Sequence, residues 1–290
     1  MTLAVAAQGV HKRFGANRAL TDFELEVARG EIVGFVGPNG AGKSTFLRIL
    51  IGLVRRDAGA VAVLGLDPTR AGLAIRRRGA YLPGETSVYP YMTGREVLDF
   101  ALGFYPRQLD LPDGGELFEL PLAQKIRRYS AGMKQKLALL ATLRADVDLY
   151  LLDEPDRALD ASARLELRKL IVWLREQGKS VLLSSHHLAE IDALANRTVF
   201  VFDGRLVADR RVVAARERLR AEIRVRLARP TDLPAGYSSA EPQHDGTLRV
   251  MVDGDPIAWL AALPAGSVLA AEVGATRLED LYRTLERLPT

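Results

Sequence analysis

A glycine-rich turn between two apolar segments constrains this chain more than any other feature. Residues 32–36 form a short apolar run, which reads as a buried strand. The run breaks at Gly37-Pro38-Asn39-Gly40-Ala41-Gly42-Lys43-Ser44-Thr45, and apolar residues at helical spacing follow over 45–53. The spacing matches G-x-x-x-x-G-K-[ST] in its required setting, between a strand and a helix. Glycines let backbone N–H groups turn toward one point, and the helix N-terminus adds partial positive charge there. Gly37, Asn39, Gly40 and Gly42 are therefore expected to cradle a phosphate chain. Lys43 is placed to reach its β- and γ-phosphates, Ser44 to ligate Mg²⁺, and Thr45 to contact the α-phosphate.

A second element suits the same chemistry. Residues 147–152 (VDLYLL) read as a buried strand and lead into Asp153-Glu154. A carboxylate at a strand end, as Asp153 would be, can hold Mg²⁺ through water. Glu154 beside it can orient and deprotonate an attacking water. Phosphoryl transfer needs mainly positioning and charge neutralisation, so these few groups can suffice.

Around these motifs, strands and helices alternate. Residues 22–28 alternate apolar and polar as a half-buried strand does, Val61 and Val63 mark another strand, and 180–184 a buried one. Thr93 with Glu96 forms a capping box for a helix through about residue 104. Residues 131–143 read as a helix, and Asp160 caps a helix running to Gln177 with Gly178 as its stop. The alternation predicts an α/β fold with a mainly parallel sheet. After about residue 210 the pattern changes to an arginine-dense run over 210–229, then Pro230, Pro234 and Pro242. Strands over 247–252 and 267–273 and helices over 255–263 and 277–288 follow. Residues 216–290 are thus expected to be a small α+β appendage, separate from a first domain over 1–215.

Bulk properties narrow the alternatives. The chain has no cysteine, which excludes disulfides, thiolate metal sites and cysteine nucleophiles. Its 290 residues carry a formal net charge of +4, compatible with nucleotide phosphates, an anionic membrane surface or nucleic acid. No apolar run approaches the ~20 residues that cross a bilayer, and the start lacks the layout of a signal peptide, so the chain is not expected to span a membrane by itself.

The ordered motifs over 3–207 resemble the nucleotide-binding subunits of ABC transporters. Tyr129-Ser130-Ala131-Gly132-Met133 occupies the place of that family's LSGGQ segment. The resemblance implies a P-loop ATPase domain with a mainly parallel core sheet, an antiparallel β arm and a helical subdomain over about 86–145. It implies ATP and Mg²⁺ as cofactors. Ser130 and Gly132 would bind the γ-phosphate of ATP held by a second copy, so that a homodimer, or a pair with a close paralogue, completes two sites. Phe14 lies where an aromatic residue stacks on adenine. Ala158-Leu159-Asp160 resembles the D-loop, and Ser184-Ser185-His186 the H-loop, whose histidine contacts the γ-phosphate. The catalytic pair implied is Glu154 with His186.

The chain departs from the family pattern at several positions. Tyr81-Leu82-Pro83 is followed by Gly84-Glu85 where glutamine is usual, and Glu85 is the candidate to touch Mg²⁺ or its waters there. Ala131, Met133, Arg157 and Ala158 are further departures. None removes Lys43, Asp153, Glu154 or His186, so hydrolysis is expected to survive.

Residues 87–92 (SVYPYM) place two tyrosines and a methionine beside Gly84-Glu85. They form either a docking patch for a separate transmembrane permease or a hydrophobic staple for the helix at Thr93. The variant motifs, with Leu278-Glu279-Asp280-Leu281-Tyr282, resemble the daunorubicin-resistance-like branch of type-2 exporters. That implies an ATPase peripheral on the cytoplasmic face of the cell membrane, with its permease a separate chain. Two alternatives are an ABC-type ATPase acting on ribosomes or nucleic acid, and a regulator that binds ATP without turnover. No coiled coil or second ATPase domain supports the former, and no nucleic-acid partner is expected. The arginine-dense run is expected to be a solvated face or a membrane-proximal surface.

Overall fold

The computed structural model describes residues 2–85, 89–112, 119–185, 187–220, 222–274 and 278–287. Its contacts divide the chain into two units, the first ending at Leu206 and the second starting at Val207.

In the first unit, β1 (Leu3–Phe14), β2 (Asn17–Ala28) and β4 (Ala58–Val63) build a three-stranded antiparallel sheet in the order β2-β1-β4. β3 (Ile32–Val36), β5 (Gly79–Leu82), β6 (Leu149–Asp153), β7 (Ser180–Ser184), β8 (Arg197–Phe202) and β9 (Arg205–Leu206) build a six-stranded sheet in the order β5-β6-β7-β3-β8-β9. Every pairing in it is parallel except β8 with β9. Among the described residues, six α-helices lie between the strands of this unit: α1 (Lys43–Leu50), α2 (Pro68–Arg76), α3 (Gly94–Leu102), α4 (Ala131–Leu143), α5 (Ala161–Glu176) and α6 (Leu188–Leu194).

β3, β6 and β7 are buried at every position, which is why they read as continuous apolar runs. Their side chains alternate between two cores. Val33, Phe35, Leu149, Leu151 and Leu182 join the antiparallel sheet and α1 through Val5, Phe23, Phe46 and Leu47. Ile32, Tyr150, Leu152, Val181 and Leu183 join α4 and α5 through Leu137, Leu143, Leu167 and Ile171. Local chemistry sets the helix ends. Thr93 and Glu96 form both bonds of the capping box on α3, and the Asp160 side chain accepts the Ala163 N–H on α5.

The second unit holds α7 (Asp209–Arg220), β10 (Glu222–Leu227), β11 (Tyr237–Pro242), β12 (Leu248–Val252), α8 (Pro256–Ala261), β13 (Val268–Val273) and α9 (Leu278–Arg287). The strands form an antiparallel sheet in the order β11-β12-β10-β13. One face buries Ile223, Val225, Val250 and Val252 with Trp259 and Leu263. The boundary lies before α7, not at the expected 215/216, because α7 packs against α9 of the same unit. The arginine-dense run is also not one solvated face. It supplies α7 and then β10, where Arg224 alternates with core residues and is held by two carboxylates.

Candidate functional site

The site grows from the register of the parallel sheet. β7 lies between β6 and β3, and Ser184 is the partner of both Asp153 and Phe35. The turn after β3 and the carboxylates ending β6 therefore emerge at the same sheet edge. Ligands of open α/β sheets bind beyond this carboxyl end of the strands.

α1 starts at Lys43, two residues before the expected Thr45, with Gly42 as its N-cap at φ 103° and no capping side chain. A Cβ on Gly42 would lie 2.5 Å from the Ala19 carbonyl oxygen, so both conformation and space demand glycine there. The first N–H groups of a helix have no intrahelical acceptor, and an uncapped start leaves them for an anion. Lys43 is buried, and its ammonium donates to the carbonyls of Gly37 (2.5 Å) and Pro38 (2.9 Å). Burial lowers the Lys43 pKa, while the charges of Glu154 and Asp153 oppose that shift. Asn39 and Gly40 are exposed, and Gly37, Ser44 and Thr45 are half-buried. Phe14, at the end of β1, is 50% exposed, with the Lys12 ammonium over its ring at 5.1 Å from the centroid.

Beyond the sheet edge, β6 and β7 are joined through side chains. The buried Asp153 carboxylate accepts the Ser184 hydroxyl at 2.8 Å. The Glu154 N–H donates to the Ser184 carbonyl (3.1 Å) and hydroxyl oxygen (3.1 Å). Glu154 itself sits at φ +50°, a left-handed conformation that is rare for a non-glycine residue and that clusters at functional sites. Asp156, 6% exposed, accepts the Ser185 hydroxyl at 2.5 Å and pairs with Nδ1 of His187 at 2.7 Å. His186 lies outside the described residues.

Gly84 packs over the Asp153 carboxylate, 3.5 Å from where its Cβ would stand. Its carbonyl accepts a 3.0 Å hydrogen bond from the Arg157 guanidinium, so two departures from the family pattern touch each other. Glu85 is exposed. The Arg48 guanidinium donates to the Tyr81 hydroxyl at 3.4 Å, and that bond, with the charges of Asp153 and Glu85, raises the Arg48 pKa. Burial raises the Tyr81 pKa.

Ser130 caps α4 by accepting the Met133 N–H at 3.2 Å, and Gly132 lies in the first turn. A Cβ on Gly132 would lie 2.9 Å from the Ala158 carbonyl oxygen of the D-loop. Gly132→Val should therefore push the D-loop off α4 and cost about 1–3 kcal/mol, read as an earlier denaturant midpoint with unchanged slope. Wild-type stability in that variant would show the approach to be slack. Ala131 points outward and meets no such limit.

The buried amide of Gln135 ties α4 to the same segment, donating to the carbonyl oxygens of Pro155 (3.0 Å) and Glu154 (3.4 Å). Gln135 and Asp156 were not among the residues expected from sequence, and Ser184 and Ser185 were expected only as the start of the H-loop segment. The available signal for Gln135 was a polar residue one turn before Leu139 and two before Leu143, in the buried phase of α4. Lys43, Asp153 and Glu154 are thus brought together, whereas Ser130 and Gly132 lie at the start of α4 beside the D-loop.

The ABC transporter family profile matches residues 20–157. A daunorubicin resistance ATP-binding protein of Streptomyces coeruleorubidus is 34% identical over 258 residues, covering 84% of this chain and 80% of that protein. A fluoroquinolones export ATP-binding protein of Mycobacterium tuberculosis is 33% identical over 240 residues, 77% of each chain. A solved ATP-binding subunit of an ABC transporter superposes with a TM-score of 0.63 at 30% identity, covering 71% of this chain and 89% of that one. The chain belongs to the ATP-binding subunits of ABC transporters and resembles the daunorubicin-resistance branch among them. It is an ABC-type ATPase.

Proposed function

We propose that this chain is the motor of an exporter, in which two copies close around ATP and drive a separate transmembrane permease. The observation carrying this reading is that two helix starts suited to anions stand beside different groups of one chain. The uncapped start of α1 stands with Lys43, Asp153 and Glu154, while the start of α4 stands with the D-loop. Two chains placed head to tail would give each ATP one start of each kind. Lys43 and the N–H groups of 37–45 then hold the phosphates, and Phe14 stacks on adenine. Ser130 and Gly132 come from the partner copy. Glu154 orients the attacking water and accepts its proton, with His186 on the γ-phosphate.

The metal fits the oxygen donors present. Among the described residues no group of three His, Asp or Glu could hold an ion alone. Mg²⁺ usually takes one or two protein oxygens and completes its shell with phosphates and water. Ser44 and Asp153 would supply those oxygens, with Glu85 reaching its waters, and the ion would neutralise charge developing on the phosphates.

Support for a permease partner comes from an exposed aromatic patch. Tyr89 and Tyr91 are 64% and 76% exposed, and Phe100 and Phe104 of the following segment are 53% and 67% exposed. Tyr89, Phe100 and Phe104 stack edge to face in series. Met92, in contrast, packs with the core that holds Val97, so it performs the staple role and leaves the tyrosines outside. Ser87 lies outside the described residues. Exposed apolar clusters of this kind mark interaction sites. Among the described residues no helix is long and apolar enough to cross a membrane. Tyr91→Asp with Phe104→Asp should leave the ATPase rate of the isolated subunit within about twofold, and abolish co-purification with the permease. Retained co-purification would place the docking surface elsewhere.

A further inference from the structure

The polar face of the second unit carries a built cleft. Arg224 on β10 and Arg249 on β12 are cross-strand partners, two like charges side by side. Like charges in register repel unless a counter-charge sits between them. Glu222, 1% exposed, supplies it: one carboxylate oxygen takes Arg224 Nε at 3.1 Å and the other takes Arg249 at 2.6 Å. Asp280 on α9, also buried, takes the other end of Arg224 at 2.6 Å. Both guanidinium groups are thereby held in fixed orientation, and both residues line a cleft of about 340 Å³. The turn 243–247 also lines it, braced by Asp245 accepting from Thr247 and by Arg226 donating to the Asp245 carbonyl. Arg283, Thr284, Gln243 and His244 complete the lining.

Two features separate this cleft from a simple brace between helix and sheet. The ion network is incomplete: among the described residues Arg249 Nε is a buried donor without an acceptor and Asp280 Oδ2 a buried acceptor without a donor. Such groups in a folded protein call for a missing partner. Arg283 is exposed at the cleft and has no ion-pair partner among the described residues. Pre-oriented guanidinium groups recognise carboxylate and phosphate oxygens at low entropic cost.

We propose that this cleft is a binding site for a small hydroxylated organic anion, such as a sugar phosphate or a hydroxy acid. Its anionic oxygens face Arg283 and Arg249, and its hydroxyl completes Asp280. The site is remote in sequence from every nucleotide-binding residue, so its occupancy is measurable with the nucleotide site filled.

The test is calorimetric titration of the full chain, saturated with ADP, with glycerol 3-phosphate and with glycerate in separate arms. At least one should saturate a single site per chain below about 1 mM, the two arms separating phosphate from carboxylate. Arg283→Ala, an exposed change that leaves the buried network intact, should weaken that binding about tenfold or more. The hydroxyl-free counterpart, ethyl phosphate or propionate, should bind about tenfold more weakly, and Asp280→Asn should narrow that difference. Saturation by neither probe up to about 10 mM overturns the proposal. Binding that Arg283→Ala leaves unchanged also overturns it, since the cleft would then be a brace alone.

Discussion

Glu154→Gln should leave ATP binding intact, lower turnover by roughly 10²–10⁴-fold and trap a nucleotide-dependent dimer. Glutamine keeps the length, shape and hydrogen-bonding reach of the side chain and removes only its ability to take a proton. The backbone at this position is over-determined. Its φ of +50° is held by two bonds to Ser184, and its carbonyl and that of Pro155 are both fixed by Gln135. The carboxylate is thereby carried at the sheet edge within electrostatic reach of Lys43. Chromatography with ATP should move the variant to twice the wild-type mass while phosphate release falls to background. Unchanged phosphate release would remove Glu154 from the reaction, and a variant that stays monomeric with saturating ATP would remove the paired-chain reading.

The second large effect is expected at Lys43. Lys43→Ala should weaken ATP binding and lower kcat/KM by about 10²–10³-fold, the cost of removing one preorganised charge from a developing anion. The cradle is built around this side chain. Its ammonium bonds the Gly37 and Pro38 carbonyls, and it is the cation whose field reaches both Asp153 and Glu154. Burial alone would favour a neutral amine, but the two carboxylates favour the ammonium, and phosphate oxygens would favour it further. Lys43→Arg should not rescue the loss. A planar guanidinium does not reproduce the compact ammonium that the Gly37 and Pro38 carbonyls hold. Calorimetry with a non-hydrolysable ATP analogue separates the binding loss from the rate loss. Wild-type affinity in Lys43→Ala would show that the N–H groups of the turn hold the phosphates unaided.

The fold was legible wherever local pattern decides it. The fully buried strands at 32–36 and 180–184 stood out as apolar runs, and the strand read at 147–152 forms at Leu149–Asp153. The Thr93–Glu96 box and the Asp160 cap named their helices, because a cap needs only residues within one turn. Other elements lacked such signals. β10 (Glu222–Leu227) was obscured by arginines and β11 (Tyr237–Pro242) by serine and proline, since their pairing comes from distant strands. The boundary between units was displaced for a similar reason: α7 belongs with α9, some sixty residues on, a contact no local pattern encodes.

The sequence by itself determined the phosphate-binding turn and the adjacent carboxylates, because within each motif the groups are set by spacing along the backbone. Only the tertiary structure decided what holds them there. Ser184 meets Asp153 through strand register, Gln135 reaches the Glu154 and Pro155 carbonyls from a helix, and Arg157 reaches the Gly84 carbonyl from the D-loop. It also brought Arg224, from the basic run, beside Arg249, from a strand outside that run, as a fixed pair around Glu222. These contacts join residues far apart in the chain, and their geometry follows from strand order and packing, which become defined only when the whole sheet assembles.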